Sequence, residues 1–193
     1  MRIVRAWPSE CEIGDMSTTA PGHIVLVGLP GAGKSTVGNL LAYLLGRPFV
    51  DFDAEIERRE ARSVAEIFAN EGEAHFRALE LALTTDIANE SPAVLAPGGG
   101  WIAQPGALAL LPHPRRIIHL RVSPATAALR VSASGEERPL LAGGDRRAAL
   151  ERLLEERADY YMLADSAVDT EGLTAQQVAA LVMDVLGHAA RPG

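Results

Sequence analysis

The stretch Gly28–Leu29–Pro30–Gly31–Ala32–Gly33–Lys34–Ser35 constrains this chain more than any other part of it. It leaves a continuous apolar run at 24–28. It then opens a segment with helically spaced Val37, Leu40, Leu41, Leu44 and Leu45, closed by Gly46. A strand buried on both faces, a glycine turn and a helix form the context in which GxxxxGK[ST] cradles phosphate. Backbone N–H groups of the glycines approach phosphate oxygens, and the helix N-terminus adds partial positive charge. Lys34 brings a compact charge to the β- and γ-phosphates, a place where a planar guanidinium fits badly. The Ser35 hydroxyl can bind a Mg²⁺ that keeps several waters. Among the 18 basic residues Lys34 is the sole lysine. A chance glycine-rich turn leaves that placement unexplained.

The remaining chain alternates short apolar runs with helical patterns. Strands are predicted at 48–52, 92–96, 116–122 and 166–169. Helices are predicted at 53–60, 63–70, 73–89, 124–131 and 145–163, and in a last segment where Val178, Leu181, Val182, Val185 and Leu186 follow i, i+3, i+4 spacing. Such alternation implies βαβ units, a parallel sheet and helices on both faces, an α/β fold. At 193 residues the chain suits one domain, placed at 23–193. Two stretches interrupt the alternation: a helical block at about 53–89 and a glycine-bearing loop at about 132–144. Insertions of this kind grip substrates and move as lids.

Residues 1–22 show no period and are expected to be a disordered extension, with Met16 offering a second start; a short docking arm is the alternative. No signal-like apolar run follows the first arginines, and nothing approaches the roughly 20 apolar residues of a membrane span, so a cytoplasmic protein is expected. A net charge of −7 argues against a nucleic-acid binder. A lone Cys11 excludes a disulfide framework, and the five histidines lack metal-ligand spacing. The absence of a second lysine excludes the N/TKxD motif by which GTPases read guanine. No LSGGQ-like signature is present, and the strand at 116–122 ends in Arg121 and Val122, without the acid a motor or switch needs. What remains is a small-molecule kinase.

Asp51 and Asp53 lie just past the second strand. If the segment stays extended they share one side, so that one can hold metal-bound water and the other accept the proton of an attacking hydroxyl. Asp53 could instead N-cap the helix that begins at Ala54. Gly98–Gly99–Gly100 follow a predicted strand at the sheet edge where α/β ligands bind, although a plain wide turn also uses glycine. Arg157 has Leu153, Leu154, Tyr160 and Tyr161 at helical spacing. A guanidinium on that apolar face needs an anion, either a buried carboxylate or a ligand. Arg77, flanked by Glu73 and Glu80, reads as well as an ordinary surface pair. Arg138 is a lid residue or a solvated loop arginine.

In their order and separations, GLPGAGKST at 28–36, DFD at 51–53, FR at 76–77, GGG at 98–100 and RPLL at 138–141 resemble the shikimate kinase family over about 24–188. The resemblance implies a P-loop, nucleoside-monophosphate-kinase-like, three-layer α/β/α fold with a five-stranded parallel sheet, a helical substrate-binding region and a mobile lid. It implies transfer from MgATP to the 3-hydroxyl of shikimate. Gly31, Ala32, Gly33, Lys34, Ser35 and Thr36 would then hold ATP, and Ser35 and Asp51 the Mg²⁺. Asp53 would be the base, and Arg77 and Arg157 would grip the carboxylate beside Gly98, Gly99 and Gly100. Arg138 would reach the reacting groups from the lid. The family's adenine-stacking arginine usually stands seven residues before the lid arginine; that place is Val131, with Arg130 one step earlier. Trp101 would sit at the pocket margin, and a monomer is expected. The alternatives are a related kinase for another acid such as gluconate, or a nucleotide-binding partner without catalysis.

Overall fold

The computed structural model describes residues 22–134, 139–141 and 144–189. The expectation for residues 1–22 therefore falls, apart from Gly22, outside the described residues, as does Arg138.

The first strand, β1 (Ile24–Val27), is wholly buried and lies at the centre of a five-stranded parallel sheet. The chain continues through α1 (Lys34–Leu45), β2 (Phe49–Asp51), α2 (Phe52–Glu60), α3 (Val64–Ile87) and β3 (Val94–Ala96). It then runs through α4 (Ala107–Leu110), β4 (Arg116–Arg121), α5 (Pro124–Ser134), α6 (Arg146–Tyr161), β5 (Ser166–Asp169) and α7 (Ala175–Ala189). The strand order is β2-β3-β1-β4-β5. Because side chains alternate along a strand, Ile24 and Leu26 enter one core with α1, α5, α6 and α7, while Val25 and Val27 enter the other with α2 and α3. These are the three layers expected from the alternation of the sequence.

The helical block breaks where the sequence suggested. Gly72 adopts φ 81°, ψ 173° inside α3, separating a first piece, capped by a Ser63–Glu66 box, from a second. Gly46 ends α1 in the left-handed conformation. The buried face of α1 differs from the expected stripe: Leu44 is 56% exposed, and Gly38 and Ala42 are buried instead. A Cβ at Gly38 would lie 2.5 Å from the Phe49 ring, so the small residue brings α1 close to the sheet. The 3₁₀ turn Trp101–Ala103 and α4 lie between β3 and β4, in an apolar stretch that Pro105 and Gly106 cut into pieces too short to show a period.

Candidate active site

Strand order reverses at β1, whose neighbours β3 and β4 lead the chain to opposite sides, and ligands of open α/β sheets bind outside the strand ends at such a point. The phosphate loop leaves β1 there. Gly31 holds φ 83°, and a Cβ on it would lie 2.6 Å from the Ala127 carbonyl, so only glycine lets the loop pass α5. Lys34 Nζ donates to the Gly28 and Leu29 carbonyls at 3.0 and 3.2 Å, folding the ammonium back over its own loop.

A cavity of about 350 Å³ opens above this loop. Its walls include Gly31, Ala32, Gly33, Lys34, Ser35, Thr36 and Arg130. Arg130 donates to Thr170 Oγ1 at 3.0 Å and to the Thr170 carbonyl at 2.7 Å, tying α5 to the end of β5. Val131 lines the same cavity but is buried, packed against Gly31 of the phosphate loop. Thr170 and Leu173 also line this cavity. Sequence reading missed both, because a short edge-strand exit carries no motif.

A second cavity of about 460 Å³ adjoins the first, and Ser35, Asp51, Asp53, Gly98 and Gly99 line both. Asp51 is the N-cap of α2, its Oδ1 accepting from the Asp53 and Ala54 amides at 3.1 and 3.4 Å. The capping role considered for Asp53 thus falls to its neighbour. The two carboxylates stand at a strand end and in a first helical turn, since the helix starts at Phe52 and ends the extended run.

Arg77, Gly100 and Arg157 line the second cavity. A Cβ at Gly100 would lie 2.6 Å from Arg77 Nη2, and one at Gly99 3.0 Å from Arg157 Nη1. Both guanidiniums therefore lie against bare glycine backbone, and a side chain on this turn would push them aside. Arg157 is 7% exposed and forms no ion pair among the described residues. Arg77 is not in an ordinary surface pair. Its Nη1 donates at 2.6 Å to Glu80, whose side chain is fully buried, while Glu73 holds its outer edge. Burial pushes the Glu80 carboxyl above its usual range, and Arg77 opposes that shift. Helical spacing revealed the Glu80–Arg77 pair but not its depth. Trp101 leaves the pocket margin altogether. It is fully buried, edge-on to Phe52, with Nε1 donating to Thr84 Oγ1 at 2.9 Å.

Tyr161 donates from its hydroxyl to the Gly99 carbonyl at 3.3 Å and stacks on His119, with ring centroids 4.3 Å apart. Burial, with the Arg121 and Lys34 charges nearby, pushes His119 down to about 4. His23 is likewise lowered by burial and by Arg47. Both imidazoles are neutral in the folded chain while an unfolded histidine takes up a proton near pH 6.5. Stability is therefore complete above pH 6.5 and is lost as pH falls from there towards about 4. Thermal melts across that interval are expected to show Tm falling with pH, and His119→Phe, which keeps the stack, is expected to flatten the slope. An unchanged slope would mean that His119 is ordinarily basic.

Two adjoining cavities with shared walls suit two ligands that react with each other. A phosphate cradle on one side and a pair of arginines on the other define the class: a phosphoryl-transfer enzyme for a small acid. Comparison with known proteins narrows the class. The family model for shikimate kinase matches residues 30–187. The shikimate kinase of Moorella thermoacetica is 41% identical over 166 residues, covering 86% of this chain and 95% of that one. That of Mycobacterium avium is 45% identical over 148 residues, covering 76% and 82%. The solved shikimate kinase from Acinetobacter baumannii in complex with shikimate superposes with a TM-score of 0.84 at 32% identity, covering 90% of this chain and 97% of that one. The chain belongs to the shikimate kinase family.

Proposed function

We propose that this chain transfers the γ-phosphoryl group of MgATP to the 3-hydroxyl of shikimate, giving shikimate 3-phosphate and ADP on the route to chorismate and the aromatic amino acids. The observation that carries the acceptor is Arg157: a buried guanidinium without an ion pair among the described residues, on the same cavity wall as Arg77. A buried charge of this kind calls for an anion of matching size, and a carboxylate takes two arginine forks well. The shikimate complex of the Acinetobacter relative supports that choice.

The roles follow from the walls. The phosphate loop and Lys34 hold the nucleotide phosphates in the first cavity, and Arg130, Thr170 and Leu173 border the nucleotide's other end. Asp53, on the wall common to both cavities, accepts the hydroxyl proton as the new oxygen–phosphorus bond forms and the bond from the γ-phosphorus to ADP breaks. Arg77 and Arg157, with the backbone of Gly98, Gly99 and Gly100, hold the acceptor's carboxylate. Arg138 is assigned to the lid by motif alone.

The residues fit a Mg²⁺: Ser35 and Asp51 offer hard oxygen donors on the same wall, and Oδ2 of Asp51 is not used by the helix cap. When bound, the ion neutralises charge on the β- and γ-phosphates. One copy of the chain supplies the described walls of both cavities, which supports a monomer. A cytoplasmic enzyme without a membrane or nucleic-acid partner remains part of the proposal; among the described residues no helix is long and apolar enough to cross a membrane.

The test is an ADP-release assay with MgATP and either shikimate, gluconate or no acceptor. ADP release that depends on shikimate is expected; equal or greater release with gluconate would overturn the acceptor assignment. Gly100→Ala, which sets a methyl against Arg77, is expected to lower kcat/KM for shikimate on the order of 10- to 100-fold, with KM for ATP unchanged. Equal loss for both substrates would show damage beyond the acceptor side.

A further inference from the structure

We infer that Gln104, which lines neither cavity, is a positioning residue of the acceptor site: it fixes Glu80, and through Glu80 it aims Arg77. The inference rests on the acceptor reading above. Gln104 follows the 3₁₀ turn that continues the glycine turn, and its backbone N–H donates to the Trp101 carbonyl at 3.0 Å. Its side-chain Nε2 donates to Glu80 Oε2 at 2.5 Å, the same oxygen that accepts from Arg77 Nη1 at 2.6 Å. Glu80 Oε1 is buried and turned towards Gly98, where an added Cβ would meet it at 2.5 Å and whose backbone is the remaining polar group near the carboxylate. A carboxylate buried this completely stays ionised and in place only if charge and hydrogen bonds replace the water it has lost. Arg77 supplies the charge, and Gln104 supplies the second hydrogen bond.

Direction passes along the same chain of contacts. Glu73, the other carboxylate on Arg77, is about half exposed and free to swing, whereas Glu80 is fixed by burial. The orientation of the guanidinium over Gly100 is therefore set from the Glu80 side, and Gln104 is what keeps Glu80 from turning. Gln104 Oε1 is itself buried without a partner. That arrangement costs stability, as expected of a residue kept for what its amide nitrogen does. The charged groups facing Glu80 are Arg77 on its own helix and Asp53 from α2, with the neutral Gln104 amide and the Gly98 backbone completing its surroundings.

Two variants test the inference by steady-state kinetics with MgATP and shikimate. Gln104→Leu removes the donor and is expected to raise KM for shikimate about tenfold, with kcat and KM for ATP within about twofold of the parent. Gln104→Glu sets a second carboxylate against the first. KM for shikimate is expected to be raised more at pH 8 than at pH 6, where the shared proton restores a donor to Oε2. In a double-mutant cycle, Gln104→Leu is expected to add less than twofold to the effect of Glu80→Gln. Parallel rises in both KM values, a pH-independent Gln104→Glu effect, or additive losses would overturn the positioning role. If the parent turns over shikimate and Gln104→Leu has an unchanged KM, only this inference fails. If the parent has no shikimate turnover, the acceptor reading fails and takes this inference with it.

Discussion

Asp53→Asn is expected to lower kcat by about 10²- to 10⁴-fold, the usual worth of a positioned proton acceptor, while ATP binding changes by less than about twofold. Asparagine keeps the size of the side chain and one acceptor oxygen but cannot take up the hydroxyl proton. The structure makes this substitution clean. The N-cap of α2 is Asp51, so the helix start does not depend on the carboxylate of Asp53. A fall in kcat with an unchanged melting temperature and near-normal KM for shikimate identifies the base. Near-normal turnover would remove Asp53 from the chemistry. A rise in KM alone would leave it a hydroxyl-binding group.

Arg157→Ala is expected to raise KM for shikimate by about 100-fold or more, with KM for ATP nearly unchanged, because a desolvated charge pair with the ligand is lost. The same variant has a second expected signature. An arginine that serves structure leaves an orphaned buried carboxylate when it is removed, and the protein is destabilised. Arg157 has no ion-pair partner among the described residues, so its removal orphans no carboxylate among them. The melting temperature is expected to hold or rise while acceptor affinity collapses. A fall in both stability and ATP affinity would place Arg157 in the framework.

The layers were legible because β1 is a continuous apolar run, β4 carries Ile117, Ile118 and Leu120, and the helices show regular spacing, signals that survive without tertiary context. The convergence of Arg77 and Arg157 on one turn was legible only through family resemblance, since they lie on different helices and no local pattern joins them. Depth was less legible still. Spacing paired Arg77 with Glu80, but the same i, i+3 spacing occurs at Arg58–Glu55 on the surface, and only packing separates the two. Trp101 shows the same limit, for a large aromatic after three glycines reads as a pocket wall until Phe52 and Thr84 are seen to close over it. Thr170 and Leu173 fall in the stretch 169–174 where the family's adenine loop lies, but without its usual proline no single residue stood out, and Gln104 carried no signal because only packing brings it to Glu80.

The residues common to both cavities stand at the end of β2, in the turn after β3 and in the first turns of α1 and α2, above β2, β3 and β1, which lie side by side in the sheet. On the proposed reading, donor and acceptor would sit over adjacent strands, whose spacing of about 4.8 Å belongs to the backbone. The floor on which the two ligands would meet is thus built on the sheet, whereas Arg77 and Arg157, the acceptor's arginines, stand on helices. Helical segments on the acceptor side could therefore be exchanged to recognise other small acids without rebuilding that floor. The sheet is the common ground, and recognition is written on parts that stand above it.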